Sequence, residues 1–78
     1  MDNCSYYIKT AMEYIDDRIM EINPDSIDRL RLQSSIRRII VANIFRLRTE
    51  NPVLFRNRVH DIYNEQLLIE ISRSMRDK

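Results

Sequence analysis

Four acidic residues in the first third of the chain have the spacing of neighbours on a helix. Glu13, Asp17 and Glu21 follow one another at four-residue intervals, which places them on one face, and Asp16 lies beside them. Carboxylate oxygens bind Ca²⁺ and Mg²⁺, but one helix without a histidine or ligands from a second helix makes a poor metal site. We therefore expect a solvent-exposed acidic face and no bound metal.

His60, the only histidine, has the side chain best suited to proton transfer near neutral pH. Its acidic neighbours are Asp61, beside it, and Glu65, five residues further on, so the four-residue spacing of a helical zinc motif is missing. Catalysis also needs a positioned partner and a pocket, and straight helices in a short chain offer little concavity. The sequence therefore predicts no catalytic residue and no enzymatic activity.

Glycine is absent from all 78 residues, and Cys4 is the only cysteine. Phosphate-binding loops, dinucleotide-binding loops and nucleophile elbows are excluded, because their backbones need glycine. A lone cysteine forms neither an internal disulfide nor a cysteine zinc cluster, and it is typical of a reducing compartment. We expect no cofactor and an intracellular location, which is cytoplasmic or, in a eukaryote, nuclear.

No apolar segment is suited to a membrane. The longest uninterrupted run, residues 39–42, has four residues, whereas a spanning helix needs about 20. The start of the chain lacks the pattern of a secretory signal. We therefore predict a folded domain without a membrane partner.

Charge is unevenly distributed, although the net charge is only +1. Residues 1–28 carry seven acids and two bases, whereas residues 29–58 carry eight arginines and one acid, Glu50. Such asymmetry indicates either a basic binding face or acidic and basic elements that pack together.

A basic corner is the first binding hypothesis that this asymmetry suggests. It consists of Arg46, Arg48, Arg56 and Arg58, which lie close together on either side of one turn. Guanidinium groups suit phosphate or carboxylate, so this corner fits nucleic acid or an acidic protein surface. The alternative is that the arginines pair with the acids of the first helix or of another subunit.

Two Asn-Pro pairs, Asn23-Pro24 and Asn51-Pro52, divide the chain into three helices. Proline disfavours a helical conformation in the residue before it and fits the first position of a helix, where asparagine is a suitable cap. We predict helices at about residues 5–22, 24–49 and 52–76. Because the turns are short, consecutive helices should be antiparallel. The predicted fold is all-α, an antiparallel three-helix bundle in a single domain of residues 1–78.

The second helix has two apolar arcs. The main arc contains Leu32, Ile36, Ile39, Ile40, Ile44 and Leu47. The neighbouring arc contains Ile27, Leu30, Val41 and Phe45. A helix that is apolar over more than half of its circumference is usually covered on two sides, so we expect this helix to be central. Asn43 falls within the main arc, where it either finds hydrogen-bond partners or points outward at the edge.

The third helix carries more apolar surface than an outer helix of a bundle needs. Its core stripe is predicted to be Phe55, Val59, Ile62, Gln66 and Ile69. A second stripe, polar at one end and apolar at the other, forms the predicted partner interface together with Leu68, which lies beyond its edge. The predicted interface residues are His60, Asn64, Leu67, Leu68, Ile71 and Met75. Such a mixed stripe suits a helix–helix contact with a defined register.

These patterns predict a non-enzymatic protein–protein interaction module that uses exposed helix faces. We expect it to form a homodimer or to bind a larger protein, and the sequence does not separate an adaptor from an inhibitor or a structural subunit. The alternative is a small nucleic-acid-associated regulator that uses the basic corner.

Overall fold

A computed structural model describes residues 4–76, which form four helices: α1 (Cys4–Met20), α2 (Arg29–Ala42), α3 (Ile44–Leu47) and α4 (Pro52–Arg76). The prediction of an all-α fold is confirmed, because the described residues contain no strand. Residues 1–3 and 77–78 of the predicted domain lie outside the described residues.

The start of α2 differs from the prediction of a helix from residue 24. The Oδ1 atom of Asn23 accepts a hydrogen bond from the N–H of Asp25 at 2.9 Å, and its carbonyl accepts one from Ser26 at 3.0 Å. Asn23 therefore closes a turn instead of capping a helix. The cap is Asp28, which has an extended backbone and accepts from the N–H of Arg31 at 3.0 Å.

The predicted long second helix is also broken near its end, at Asn43. The side-chain amide of Asn43 donates to the carbonyl of Ile39 at 2.8 Å, and its backbone leaves the helical region with φ −117° and ψ 14°. An asparagine that bonds locally competes with the helical hydrogen bonds, which explains why α2 ends and α3 begins here. The half-buried Asn43 thus finds its partner within its own helix.

The second Asn-Pro pair behaves as predicted. The Oδ1 atom of Asn51 accepts hydrogen bonds from the N–H groups of Val53 and Leu54, both at 3.1 Å. Pro52 begins α4, whose bounds match the predicted 52–76.

Aromatic contacts show how the helices are oriented. Tyr7 packs on Phe55 with ring centroids 5.1 Å apart, and Tyr14 contacts His60 one heptad further along α1, so α1 and α4 run in the same direction. The N-terminal end of α2 lies beside the C-terminal end of α4, where Arg31 pairs with a glutamate, so α2 runs the opposite way. All three long helices contact one another.

The core lies between these helices. Its largest fully buried side chains are Ile15, Leu32, Ile36, Ile40 and Val59. The second apolar arc of the second helix is not covered as predicted. Of its members only Ile27 is buried, while Leu30, Val41 and Phe45 are exposed. The prediction was wrong because α1 and α4 contact each other directly and meet α2 from one side.

Candidate protein-interaction surfaces

The last turns of α4 extend beyond α1. Met20 ends α1 six residues after Tyr14, and Tyr14 lies beside His60. Because the two helices run in the same direction, the end of α1 is level with Gln66, and α4 continues for ten more residues to Arg76. Side chains on this part of α4 that face the α1 side therefore have no helix to cover them.

Four large apolar side chains are exposed on this overhang, Ile69 and three others that share one side of the helix. Leu68 is 64% exposed, Ile71 40% and Met75 72%. Their spacing of three and four residues places them on one side of α4. We call these three residues the α4 patch. Asn64, one turn before Leu68, is also exposed.

The other two residues of the predicted interface lie at its inner edge. Leu67 is half-buried and packs against the core. His60 is half-buried, and its Nδ1 atom shares a hydrogen bond with the hydroxyl of Tyr14 at 2.7 Å. The His60 ring also lies 5.9 Å from the ring of Tyr63. Of the six predicted residues, therefore, the structure brings four to one exposed side and assigns His60 to contacts within the chain.

Tyr63 completes this aromatic group between α1 and α4. Burial raises the pKa of its phenol above the ordinary value of 10.0, and the negative charge of Glu21 raises it further. The positive charge of Arg18 opposes both effects. The neutral phenol is thus the form that suits this interface.

Glu70 is a buried carboxylate that the sequence reasoning missed. It is 4% exposed, and Arg31 from α2 donates to both of its carboxylate oxygens, from Nε at 3.2 and 3.1 Å and from Nη2 at 3.0 Å. Arg73 lies one turn further along α4, with Nη1 3.7 Å away. A buried carboxylate needs such cationic donors, so this group fixes the register of α2 against α4.

The sequence contains a signal for Glu70. It lies seven residues after Tyr63 and eleven after Val59, which is the spacing of one helix face. The core stripe predicted from the sequence contains its neighbour Ile69 instead, and Ile69 is half exposed. An acid in register with buried residues indicates a partner arginine, and Arg31 supplies it.

The four arginines of the predicted basic corner have different surroundings. Arg58 is half-buried and donates to the carbonyls of Arg46 and Leu47 at 3.3 and 3.1 Å, which satisfies the end of α3. The guanidinium of Arg48 lies 4.8 Å from the ring centre of Phe45. Arg46, Arg48 and Arg56 are exposed. Three of the four are therefore open to solvent, whereas Arg58 is bound to the backbone.

A cleft of about 320 Å³ lies between α1 and the start of α4. Its walls include Tyr6, Tyr7, Tyr14, Phe55 and Arg56. The sequence reasoning expected little concavity and missed it, because the cleft forms only where the 49–52 turn meets the tyrosines of α1.

The predicted acidic face, formed by Glu13, Asp16, Asp17 and Glu21, is exposed, and Glu21 pairs with Arg18 at 3.5 Å. Within residues 4–76, no group of three or more His, Cys, Asp or Glu side chains is arranged to hold a metal ion. None of the helices in the described part of the chain has the length and apolar character to cross a membrane.

Comparisons with protein-family models, with curated proteins and with solved structures found no match.

Proposed function

We propose that this chain is a non-enzymatic protein–protein interaction module that pairs with a second copy through the α4 patch. The observation that carries the proposal is the exposure of Leu68, Ile71 and Met75 on one side of a helix overhang. Contiguous exposed apolar groups commonly mark interaction sites. In this proposal α1 and α2 hold α4 in place within an antiparallel bundle, and the buried thiol of Cys4 suits an intracellular setting.

The size of the patch predicts a weak pairing. In a two-fold symmetric contact each copy covers the same three side chains of the other. Burying a large apolar side chain contributes about 1.5–3 kcal/mol, and the six side chains here are already partly covered, so we expect roughly 6–10 kcal/mol in total. Association itself costs at least about 4 kcal/mol. The difference is about 2–6 kcal/mol, and the proposal requires its upper half, about 4–6 kcal/mol, which corresponds to a Kd between tens of micromolar and about 1 mM.

Sedimentation equilibrium tests this proposal. The wild-type chain should change from monomer to dimer as its concentration rises from about 5 µM to about 1 mM. Leu68→Glu and Ile71→Glu should remain monomeric throughout, because each places a charge in the contact. A wild-type chain that stays monomeric at about 1 mM would contradict the proposal.

Leu30→Glu is the matched control. Leu30 is 80% exposed on α2, so the same substitution should leave both the fold and the dimer unchanged. Circular dichroism of each variant verifies that it is folded. A dimer that is lost with Leu30→Glu and kept with Leu68→Glu would move the self-association site from α4 to α2.

The nucleic-acid alternative rests on the exposure of Arg46, Arg48 and Arg56 around one turn. It has less support than self-association for two reasons. Arg58 already donates to backbone carbonyls. The exposed ring of Phe45, which Arg48 covers, adds apolar surface that a phosphate backbone would not contact. It predicts binding of DNA or RNA that weakens steeply with salt. Absence of binding at low salt, measured by fluorescence anisotropy, would remove it.

A further inference from the structure

The outer side of α2 and α3 carries an exposed apolar row on the opposite side from the core. Leu30 is 80% exposed, Val41 44% and Phe45 70%. Leu30 and Val41 are eleven residues apart, which is three turns of a helix, and Phe45 follows four residues later on α3. We call this row with Arg37 and Arg38 the α2 surface.

Arginines flank this row, and no acid lies in the same part of the sequence. The segment 29–49 contains six arginines and no Asp or Glu. Two of them bond to oxygen atoms inside the domain: Arg29 donates to the carbonyls of Met20 and Ile22, and Arg31 pairs with Glu70. The remaining four are Arg37, Arg38, Arg46 and Arg48, and all are exposed. Of these four, Arg48 donates to the Sγ atom of Cys4 at 3.8 Å.

Within residues 4–76 none of these four arginines forms an ion pair. Arg37 and Arg38 line a shallow groove with Val41 and Ala42 between them, and its walls are largely apolar. Arg37 also borders a second groove with Glu13 and Asp16 of α1. The α2 surface is thus an apolar strip with cations on its borders.

We propose that the α2 surface binds an acidic amphipathic helix of another protein. Leu30, Val41 and Phe45 would be covered by the apolar face of that helix, as in other helix-in-groove contacts. Carboxylates on its flanks would meet Arg37 and Arg38, which adds register and salt-dependent association. Such a partner satisfies both the apolar and the cationic parts of the surface.

Two other occupants fit less well. A nucleic-acid backbone would meet the arginines but leave Leu30 and Phe45 without apolar contacts. The α4 patch of a second copy borders a groove that contains Arg73 and Arg76, so it would bring like charges together. The α2 surface also shares no residue with the α4 patch, so this inference goes beyond the proposed self-association and does not depend on it.

A peptide-display selection tests the inference. The bait is the full chain, and the library encodes helical peptides of about 18 residues, which span about 27 Å and cover the distance from Leu30 to Phe45. We expect enriched peptides to be acidic, with apolar residues at three- and four-residue spacing. Enrichment of basic peptides, or no enrichment over a chain carrying Arg37→Glu and Arg38→Glu, would overturn the inference.

Affinity measurements on a synthetic copy of the most enriched peptide give the second readout. Phe45→Ser and the Arg37→Glu/Arg38→Glu pair should each weaken binding at least about tenfold. The control Arg76→Glu makes the same type of substitution at one exposed position outside the surface and should leave binding unchanged. Leu68→Glu should also leave it unchanged, which separates this surface from the dimer contact.

A labelled single-stranded DNA and its duplex complete the experiment. If either binds as tightly as the peptide and Phe45→Ser has no effect on that binding, the surface is a nucleic-acid site and the inference is wrong. Weaker DNA binding, with a peptide affinity that depends on both Phe45 and the arginines, supports the acidic helix.

Discussion

At each end of the bundle an arginine donates hydrogen bonds to carbonyls at the end of a helix, but the surroundings of the two arginines differ. At one end Arg29 donates to carbonyls at the end of α1, and at the other Arg58 donates to carbonyls at the end of α3. Only the first end adds a buried carboxylate, Glu70, which pairs with Arg31. The second end instead has exposed arginines and the cleft beside Tyr7.

This difference separates residues that hold the fold from residues that are available to partners. A cation whose acid lies inside the domain is already satisfied, and its role is structural. Arg37, Arg38 and Arg46 are exposed on α2 and α3, have no acid partner within residues 4–76 and remain available. Sequence composition alone does not make this distinction, because all of these residues are arginines in one basic segment.

The largest expected effect comes from Arg31→Met, which leaves Glu70 buried without its main partner. Removing one partner of a buried ion pair costs about 3–5 kcal/mol. We expect a loss of about 2–3 kcal/mol in the free energy of unfolding, because Arg31 is partly exposed and Arg73 remains nearby. Urea denaturation at low protein concentration measures this loss.

Arg38→Met is the matched control on the same helix. Arg38 is exposed and has no ion pair within the described residues, so the loss should be about 0.5 kcal/mol or less. Similar losses for the two variants would show that the contact with Glu70 has no special role in stability.

The two arginine caps compare the ends of the bundle directly. Hydrogen bonds that involve a charged group contribute about 1.5–3 kcal/mol, and we expect about 1–2 kcal/mol for Arg29→Met, whose guanidinium is half-buried against Met20 and Ile22. Arg58→Met should cost less, because its bond to Arg46 is exposed and long at 3.3 Å. The same urea series tests both, and a larger loss for Arg58→Met would reverse the proposed ranking of the two ends.

The two Asn-Pro pairs offer a smaller contrast. Asn51→Ala removes a helix cap and should cost about 1 kcal/mol. Asn23→Ala removes one hydrogen bond in an exposed turn and should cost about 0.5 kcal/mol or less. Thermal unfolding of both variants measures the difference, and equal losses would indicate that Asn23 also acts as a helix cap.

The smallest expected effect on stability is that of Tyr63, which lies between the two ends of the bundle. Its pKa is raised in the folded state, so folding holds the phenol proton more tightly than the unfolded chain does. The resulting stability is present below pH 10 and is lost as the pH rises through the folded-state value. Tyr63→Phe should therefore lose less stability than the wild type between about pH 9 and 11, as measured by denaturation at each pH. A parallel decline in both chains would contradict this role.

The sequence predicts helix boundaries and buried faces well where a few neighbouring residues determine them. Asn51 and Pro52 specify the start of α4, and the four-residue spacing of Ala11, Ile15 and Ile19 matches the buried side of α1. Asn23 and Pro24 look equivalent to the second pair but form a turn, because Asp28 provides a competing cap five residues later.

The remaining errors depend on tertiary structure. Whether Leu30 and Phe45 are buried depends on where α1 and α4 lie, and periodicity within one helix does not contain that information. The break at Asn43 depends on a side-chain hydrogen bond that competes with the helix. The hydrogen bond between His60 and Tyr14 also depends on tertiary structure, because the two residues are 46 positions apart in the sequence. That His60 contributes to a partner interface stays a prediction.

The overhang of α4 has a consequence for hydrodynamic shape. The domain measures 47 × 20 × 18 Å, so a single copy is already a rod. Two copies joined only through their last two turns would lie mostly end to end, and the assembly would be far longer than it is wide. Its sedimentation coefficient would then rise less than expected for a compact doubling of mass, a signature that a side-by-side pair would not give.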